Sequence, residues 1–135
     1  MLQKLTKNRG GFTLVEIMIV VAIIALLAAI AVPNFLRARK RSQASRVLQD
    51  MRMVDSAIDQ YAIEFNKSSG MSVNWTDIRA YLKTGSKLYN TTGNDMLGFT
   101  INGGIFTVDG IPRIASSTYN ALSDVAPSDF WSPFY

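Results

Sequence analysis

From Phe12 to Val32 the chain runs for 21 residues in which only Thr13 and Glu16 are polar. As a helix rising about 1.5 Å per residue, this stretch reaches about 30 Å, the thickness of one bilayer core. Beyond it the pattern becomes periodic. Val47, Met51, Val54, Ile58, Tyr61 and Phe65 step by 4, 3, 4, 3 and 4, which draws one apolar stripe on a helix. Asp50, Arg52, Asp59 and Glu64 fall on other faces. Such a stripe can pair with a partner helix, but ahead of a small domain it is expected to pack on the chain's own sheet. Asn66-Lys67-Ser68-Ser69-Gly70 ends the pattern. One helix is therefore predicted from residue 12 to about 65, with a kink or a locally melted turn at Pro33.

After residue 70 the pattern shortens. A helix is predicted over Trp75–Thr84: Asn74 can cap it, Asp77 stands three residues later, and Trp75, Ile78 and Leu82 share a face. Gly85 follows as its stop. Lys87–Tyr89 reads as a weak strand. Phe99–Ile101 and Ile105–Val108 flank Asn102-Gly103-Gly104, which predicts a hairpin. Ile111–Ala115 adds an edge strand, because Pro112 cannot donate to a ladder. Residues 117–125 fit either a short helix or a loop. The fold class is α+β: a long helix, apolar in its first half and amphipathic in its second, packed on a small antiparallel sheet.

Length and composition narrow the functions available. The 135 residues allow one modest domain, and about a quarter of them lie in the apolar segment and its basic flank. The chain has no cysteine and no histidine. That excludes a disulfide scaffold, thiol nucleophiles and zinc knuckles, and removes the commonest general base and metal ligand. The net charge of +4 is uneven. Residues 1–46 hold eight basic residues against Glu16 alone, whereas residues 47–135 hold six against nine acids. The basic balance thus belongs to the flanks of the apolar segment and does not describe a nucleic-acid-binding domain.

Glu16 is the anomaly. A carboxylate in a bare span costs about 2.5–3.5 kcal/mol at mid-membrane, and less near the interface. An exported protein cut after Ala31 would leave it unexplained, and so would a plain anchor; a secretory signal is also typically shorter, about 7–15 apolar residues. The surrounding residues give it a context. Lys4, Lys7 and Arg9 lead into Gly10-Gly11, then Phe12-Thr13-Leu14-Val15-Glu16, then the apolar run, with Ala31-Val32-Pro33-Asn34-Phe35 at its end. This order and spacing resemble the leader and processing site of type IV prepilins and of type II secretion pseudopilins. The likeness closely covers residues 9–36.

The resemblance implies a type IV pilin-like fold and a structural filament subunit, not an enzyme. It implies cleavage between Gly11 and Phe12 by a prepilin peptidase, and methylation of the new Phe12 amine. It also implies stacking of subunits through their N-terminal helices. Glu16 lies one turn beyond Phe12 on the same face. In the family its partner is the Phe12 amine of a neighbouring subunit, so the pair Phe12 and Glu16 sets the register of assembly. An ammonium and a carboxylate attract strongly in a low dielectric, and either alone is costly. The implied partners are copies of the chain, minor pilins or pseudopilins, the prepilin peptidase and methyltransferase, an inner-membrane assembly platform and lipid. The precursor would sit in a bacterial inner membrane as a single-pass protein, then move into a periplasmic or cell-surface filament. Pro33 would let the helix bend or stretch there, or be a harmless kink at the membrane surface.

The remaining candidates are weaker. Arg37, Arg39, Lys40 and Arg41 follow the span, where basic side chains hold lipid headgroups at about 1 kcal/mol each; no nucleic-acid partner is expected. Counting charges alone would put this side in the cytoplasm. The resemblance implies the reverse, and the specific motif takes precedence over the statistical rule. The resemblance to major pseudopilins, which often hold calcium in loops near the C-terminus, makes Asp95, Asp109, Asp124 and Asp129, with Asn94, candidates for a structural calcium site; they fall in turns, where Asp and Asn occur anyway, and none of the stretches follows an EF-hand pattern. Otherwise no cofactor is implied. The tail FWSPFY could form an adhesive or conducting surface, but in so small a domain its aromatics are expected to cover the sheet and anchor the C-terminus. The predicted organisation is a leader over 1–11, a membrane and assembly helix over 12–36, its amphipathic continuation over 37–66 and a globular head over 67–135. Two other readings compete: a single-span envelope protein whose head binds a ligand without polymerising, and an exported enzyme for which the residues supply no constellation.

Overall fold

The computed structural model describes residues 10–135. Three of the basic leader residues, Lys4, Lys7 and Arg9, therefore lie outside the described residues. The chain divides into one unit that ends at Leu36 and a second spanning Arg37–Tyr135. Helix α1, Leu14–Glu64, contributes to both, and it is helical through Pro33 with no melted turn.

In the first unit every described residue is exposed. Leu14, Ile17, Ile24, Leu27 and Ile30 all present their side chains outward. A helix apolar on all faces and unburied in its own chain is matched to lipid or to other helices. This is the one helix among the described residues long and apolar enough to cross a membrane.

The second unit is an α+β head built on the rest of α1. Ala44, Val47, Met51, Val54, Ala57 and Ile58 are buried. The apolar stripe therefore faces the chain's own core through Ile58, while Tyr61 is half-buried and Phe65 is exposed. The sheet is small. Strand β1, Ser72–Val73, pairs antiparallel with β2, Phe106–Thr107, with Val73 opposite Phe106. Both of those side chains are buried, and the core is completed by Ile78, Leu88, Ile101, Leu122, Trp131 and Phe134. The sheet supplies two of the buried residues of this core, Val73 and Phe106, and short helices and loops supply most of the others outside α1.

The short elements depart from the sequence pattern in instructive ways. Helix α2, Trp75–Arg79, is shorter than the predicted 75–84; the Asp77 carboxylate accepts the Asn74 N–H at 3.2 Å, and the chain continues in turns. Lys87–Tyr89 is not a strand. Lys87–Asn90 forms helix α3, because the Ser86 hydroxyl accepts the Tyr89 N–H at 3.1 Å and one turn suffices to bury Leu88. The hairpin around Asn102-Gly103-Gly104 is also absent. The turn itself forms, with Asn102 at φ 52° and Gly103 at φ 63° inside a 3-10 turn over Ile101–Gly104. Its flanks, however, bind elsewhere: Thr100 bridges to Asn94, and Phe106–Thr107 joins β1. Ile111–Ala115 is extended without a strand partner, since Asn102 N–H reaches Arg113 O at 2.8 Å while Ile114 N–H reaches Phe134 O at 2.9 Å. Two different segments share its hydrogen bonds, so no ladder forms. The ambiguous 117–125 stretch is largely helix α4, Ser116–Leu122.

The C-terminal aromatics do more than cover a sheet. Ser128–Trp131 forms a 3-10 turn, and Trp131 is completely buried, its indole N–H donating to Ala126 O at 3.1 Å. Phe134 is buried as well, and Phe130 meets Trp131 edge-on at 5.1 Å. Tyr135 instead lies at the surface, stacked on Tyr119 at 4.1 Å.

Candidate assembly site

The predicted assembly residues sit at the first turn of α1. Phe12 precedes the helix with its side chain 85% exposed, and Gly10 and Gly11 have no neighbouring atoms within 4 Å of where a side chain would begin. Among the described residues, then, nothing beyond the adjoining residues crowds the glycine side of the Gly11–Phe12 bond, as suits a bond offered to a protease.

Four residues beyond Phe12, Glu16 is already engaged. Its Oε2 accepts the backbone N–H of Thr13 at 2.7 Å and the Thr13 hydroxyl at 2.8 Å. In return the Glu16 N–H donates to the Thr13 hydroxyl oxygen at 3.2 Å. With Leu14 as the first helical residue, Thr13 occupies the N-cap and Glu16 the third position, a reciprocal capping box. The box satisfies two of the donors that every helix start leaves open, and a carboxylate is favoured beside the positive end of the helix dipole. The signature Thr-x-x-Glu was present in the sequence; reading Glu16 only as the partner of an amine missed it. Cleavage before Phe12 leaves the box intact, because Thr13 keeps both its amide and its hydroxyl. Glu16 uses one oxygen for this cap, and Oε1 makes no hydrogen bond among the described residues.

The basic residues after the span divide. Arg37, Arg39 and Arg41 are exposed and make no ion pair among the described residues, but Lys40 is paired with Asp124 at 2.8 Å. Of the four residues expected to meet headgroups, Lys40 is thus the one with a partner in its own head. The Lys40 ammonium, aided by Arg37, also holds the Asp124 carboxyl below its ordinary range. Both partners are largely exposed, so the pair positions the end of α4 more than it stabilises the head.

The four aspartates proposed for calcium do not come together; among the described residues no three metal-ligating acids cluster. Asp124 serves Lys40. Asp95 is buried and serves the backbone: one oxygen accepts the N–H groups of Leu97 and Phe99 at 2.9 and 3.0 Å, and the other takes the Thr118 hydroxyl. That carboxylate ties the loop 95–99 to α4 as an internal anion cradle. An aspartate two residues before Leu97-Gly98 is a turn signal in the sequence, but its burial and its bond to Thr118 are long-range facts that local pattern does not carry.

Two further contacts were not foreseen. Tyr81 donates its hydroxyl to the Glu64 carboxylate, and that bond pushes the phenol up to about 12. Arg79 lies 4.4 Å above the Tyr89 ring while its Nε donates to Tyr89 O at 2.9 Å.

Comparison with known proteins meets this geometry at the same residues. Residues 6–32 match the family described as the prokaryotic N-terminal methylation motif. The chain is 44% identical over 66 residues to the type IV major fimbrial protein FimA of Dichelobacter nodosus, a match covering 49% of this chain and 41% of that one. It is 44% identical over 63 residues to the type IV major pilin protein PilA of Myxococcus xanthus, covering 47% and 28%. It is also 30% identical over 61 residues to the type II secretion system core protein G of Aeromonas hydrophila, covering 45% and 43%. The matches therefore span less than half the length of these three relatives. No solved structure matches the chain. The chain thus matches the prokaryotic N-terminal methylation motif at its start and, over about half its length, is similar to type IV major pilins and to type II secretion core protein G.

Proposed function

We propose that this chain is a structural filament subunit, cut between Gly11 and Phe12, methylated on the Phe12 amine and assembled through α1 into a type IV pilus or a type II secretion pseudopilus. The observation that carries the reading is the constellation at the start of α1: a Gly11–Phe12 bond uncrowded among the described residues, an exposed Phe12 and a carboxylate one turn later, heading a helix whose first half is apolar on all its faces. A soluble fold has no use for such a helix, and a plain anchor could cap its helix with Glu16 but has no partner for the charge that the remaining oxygen carries. Processing creates an ammonium at Phe12, and methylation keeps it positive. The free Oε1 of Glu16 can then accept from a neighbour's Phe12 while Oε2 keeps the cap. The copies, the peptidase with its methyltransferase activity, minor subunits and the inner-membrane platform are the partners this reading requires. The precursor is a single-pass inner-membrane protein, and Arg37, Arg39 and Arg41 hold the headgroups until the subunit leaves the bilayer. The reading includes no catalytic role and no cofactor.

The test is assembly in a host that supplies a prepilin peptidase and an assembly platform. Filaments sheared from cells should contain this chain as their main protein, and deleting the peptidase should leave the uncut precursor in the membrane. Processed chain that never appears in a sheared fraction would favour a non-polymerising envelope protein.

A further inference from the structure

Along α1 within the head, two like-charged pairs occupy one edge. Arg37 and Arg41 stand four residues apart, and so do Asp55 and Asp59. Each acid follows its matching base by 18 residues, which is about five turns at 3.6 residues per turn. The two pairs therefore share one azimuth and lie about 27 Å apart along the helix.

Neither pair is satisfied among the described residues. Among the described residues the only ion pair joins Lys40 to Asp124. Arg52, three residues before Asp55, forms no ion pair with it. Like charges four residues apart on a helix repel, so each pair is a small local cost. Asp55 feels it, since partial burial and the neighbouring Asp59 both raise its carboxyl above the ordinary range. Asp59 lines a cleft with Lys67 and Asp109, beside the exposed Ile63. That setting suits a guanidinium, whose planar head takes the carboxylates while its stem lies on an apolar side chain. The neighbouring exposed face carries Ala38, Ser42, Ser45 and Ser56, small residues that let a second helix come close.

We propose that Arg37 and Arg41 of one subunit dock on Asp55 and Asp59 of a second, parallel copy that is turned about its helix axis to face the first and displaced by about five helical turns. The second copy is the occupant because each pair matches the other in charge, in spacing and in azimuth, and because membrane insertion orients all copies alike. The inference rests on the filament reading and adds a second register to it: the Phe12–Glu16 pair fixes subunits at the lipid end, and the Arg–Asp pairs fix them at the head. The same arginines pass from headgroups to carboxylates as the subunit leaves the membrane. Salt bridges at a subunit face select partner and register more than they add affinity.

The chain has no cysteine, so a thiol cross-link reports contact cleanly. The full-length double variant Arg41→Cys/Asp59→Cys is expressed with peptidase and platform, and the sheared filaments are treated with a bifunctional maleimide long enough to span an Arg–Asp pair, because a disulfide bridges only Cα atoms within about 7 Å. A link within one chain is excluded, because the two positions are about 27 Å apart on one helix. A ladder of cross-linked subunits is expected from the double variant and none from either single variant. Filaments that form and stay monomeric after this treatment overturn the docking and leave the filament reading standing; absence of filaments from the unaltered chain overturns both. If the cysteine variant does not assemble, charge exchange decides. Asp59→Arg should lower filament yield about tenfold or more, and Arg41→Asp/Asp59→Arg should restore it. A double exchange no better than the single one overturns the proposal.

Discussion

Thr13 and Glu16 hold each other at the head of α1: the Thr13 N–H and hydroxyl both donate to Glu16 Oε2, at 2.7 and 2.8 Å, and the Thr13 oxygen accepts the Glu16 N–H. The acid that seemed to need a neighbouring subunit therefore has a use before any neighbour arrives. Its cap lowers the cost of carrying a carboxylate into lipid, because the donors at the helix start would otherwise be open in the same medium.

The two roles separate by substitution. Glu16→Gln keeps an oxygen for the cap and removes the charge, whereas Glu16→Leu removes both. Both variants should still be processed and held in the membrane, and both should give few or no filaments. Normal filament yield from Glu16→Gln would reduce Glu16 to a helix cap and end its role in register.

Asp95 should matter to the head as an internal hydrogen-bond centre. Asp95→Ala leaves the buried Thr118 hydroxyl and two part-buried backbone donors without their partner, a loss of about 2–4 kcal/mol. In a head of this size that lowers Tm by more than about 10 °C, read by thermal unfolding of the detergent-solubilised chain. Chelator should leave the Tm of the unaltered chain where it was. A fall in Tm with chelator, reversed by calcium, would return Asp95 to the metal reading.

Trp131 and Tyr135 should behave oppositely although four residues separate them. Trp131 is fully buried and bonded to Ala126 O, so Trp131→Ala should cost about 3–5 kcal/mol. Tyr135 is about half exposed, and its removal should cost under about 1 kcal/mol. Urea midpoints of the two variants would check this. Equal losses would mean that the stacked Tyr119–Tyr135 pair is structural.

Burial pushes the Asp50 carboxyl above its ordinary range, with Arg46 opposing and Asp95 adding to the rise. A raised folded pKa means that the folded head binds the proton more tightly than the unfolded chain does. This group's contribution to stability is then most favourable below the unfolded value near 4, and declines as pH rises through the folded value. Asp50→Asn should therefore raise Tm near pH 7 and lose that advantage below about pH 4. A lower Tm at neutral pH would show that attraction to Arg46 outweighs desolvation.

What the sequence made legible was whatever depended on local order and period. The span and the apolar stripe from Val47 to Ile58 follow from spacing alone, whereas the residues around the Gly11–Phe12 bond were singled out by their resemblance to a prepilin processing site. The left-handed turn at Asn102-Gly103 was legible too, because glycine and asparagine tolerate positive φ. Its partners were not, since Asp95 draws in the N–H groups of Leu97 and Phe99 and so turns Thr100 toward Asn94. Lys87–Tyr89 failed for a related reason: a Ser86 cap and one buried leucine decide a four-residue segment more strongly than β propensity does. At the candidate site, Glu16 was found by its oddity in lipid, and its bond to Thr13 was overlooked although the capping signature stood in plain order.

The central claim is that this chain is a processed filament subunit, and intact mass with N-terminal peptide mass spectrometry on protein from native membranes tests it most directly. The account predicts a mature chain that begins at Phe12 and carries a methyl group on its amine. A chain beginning at Val32, or one still beginning at Met1 in a host with an active prepilin peptidase, would contradict it.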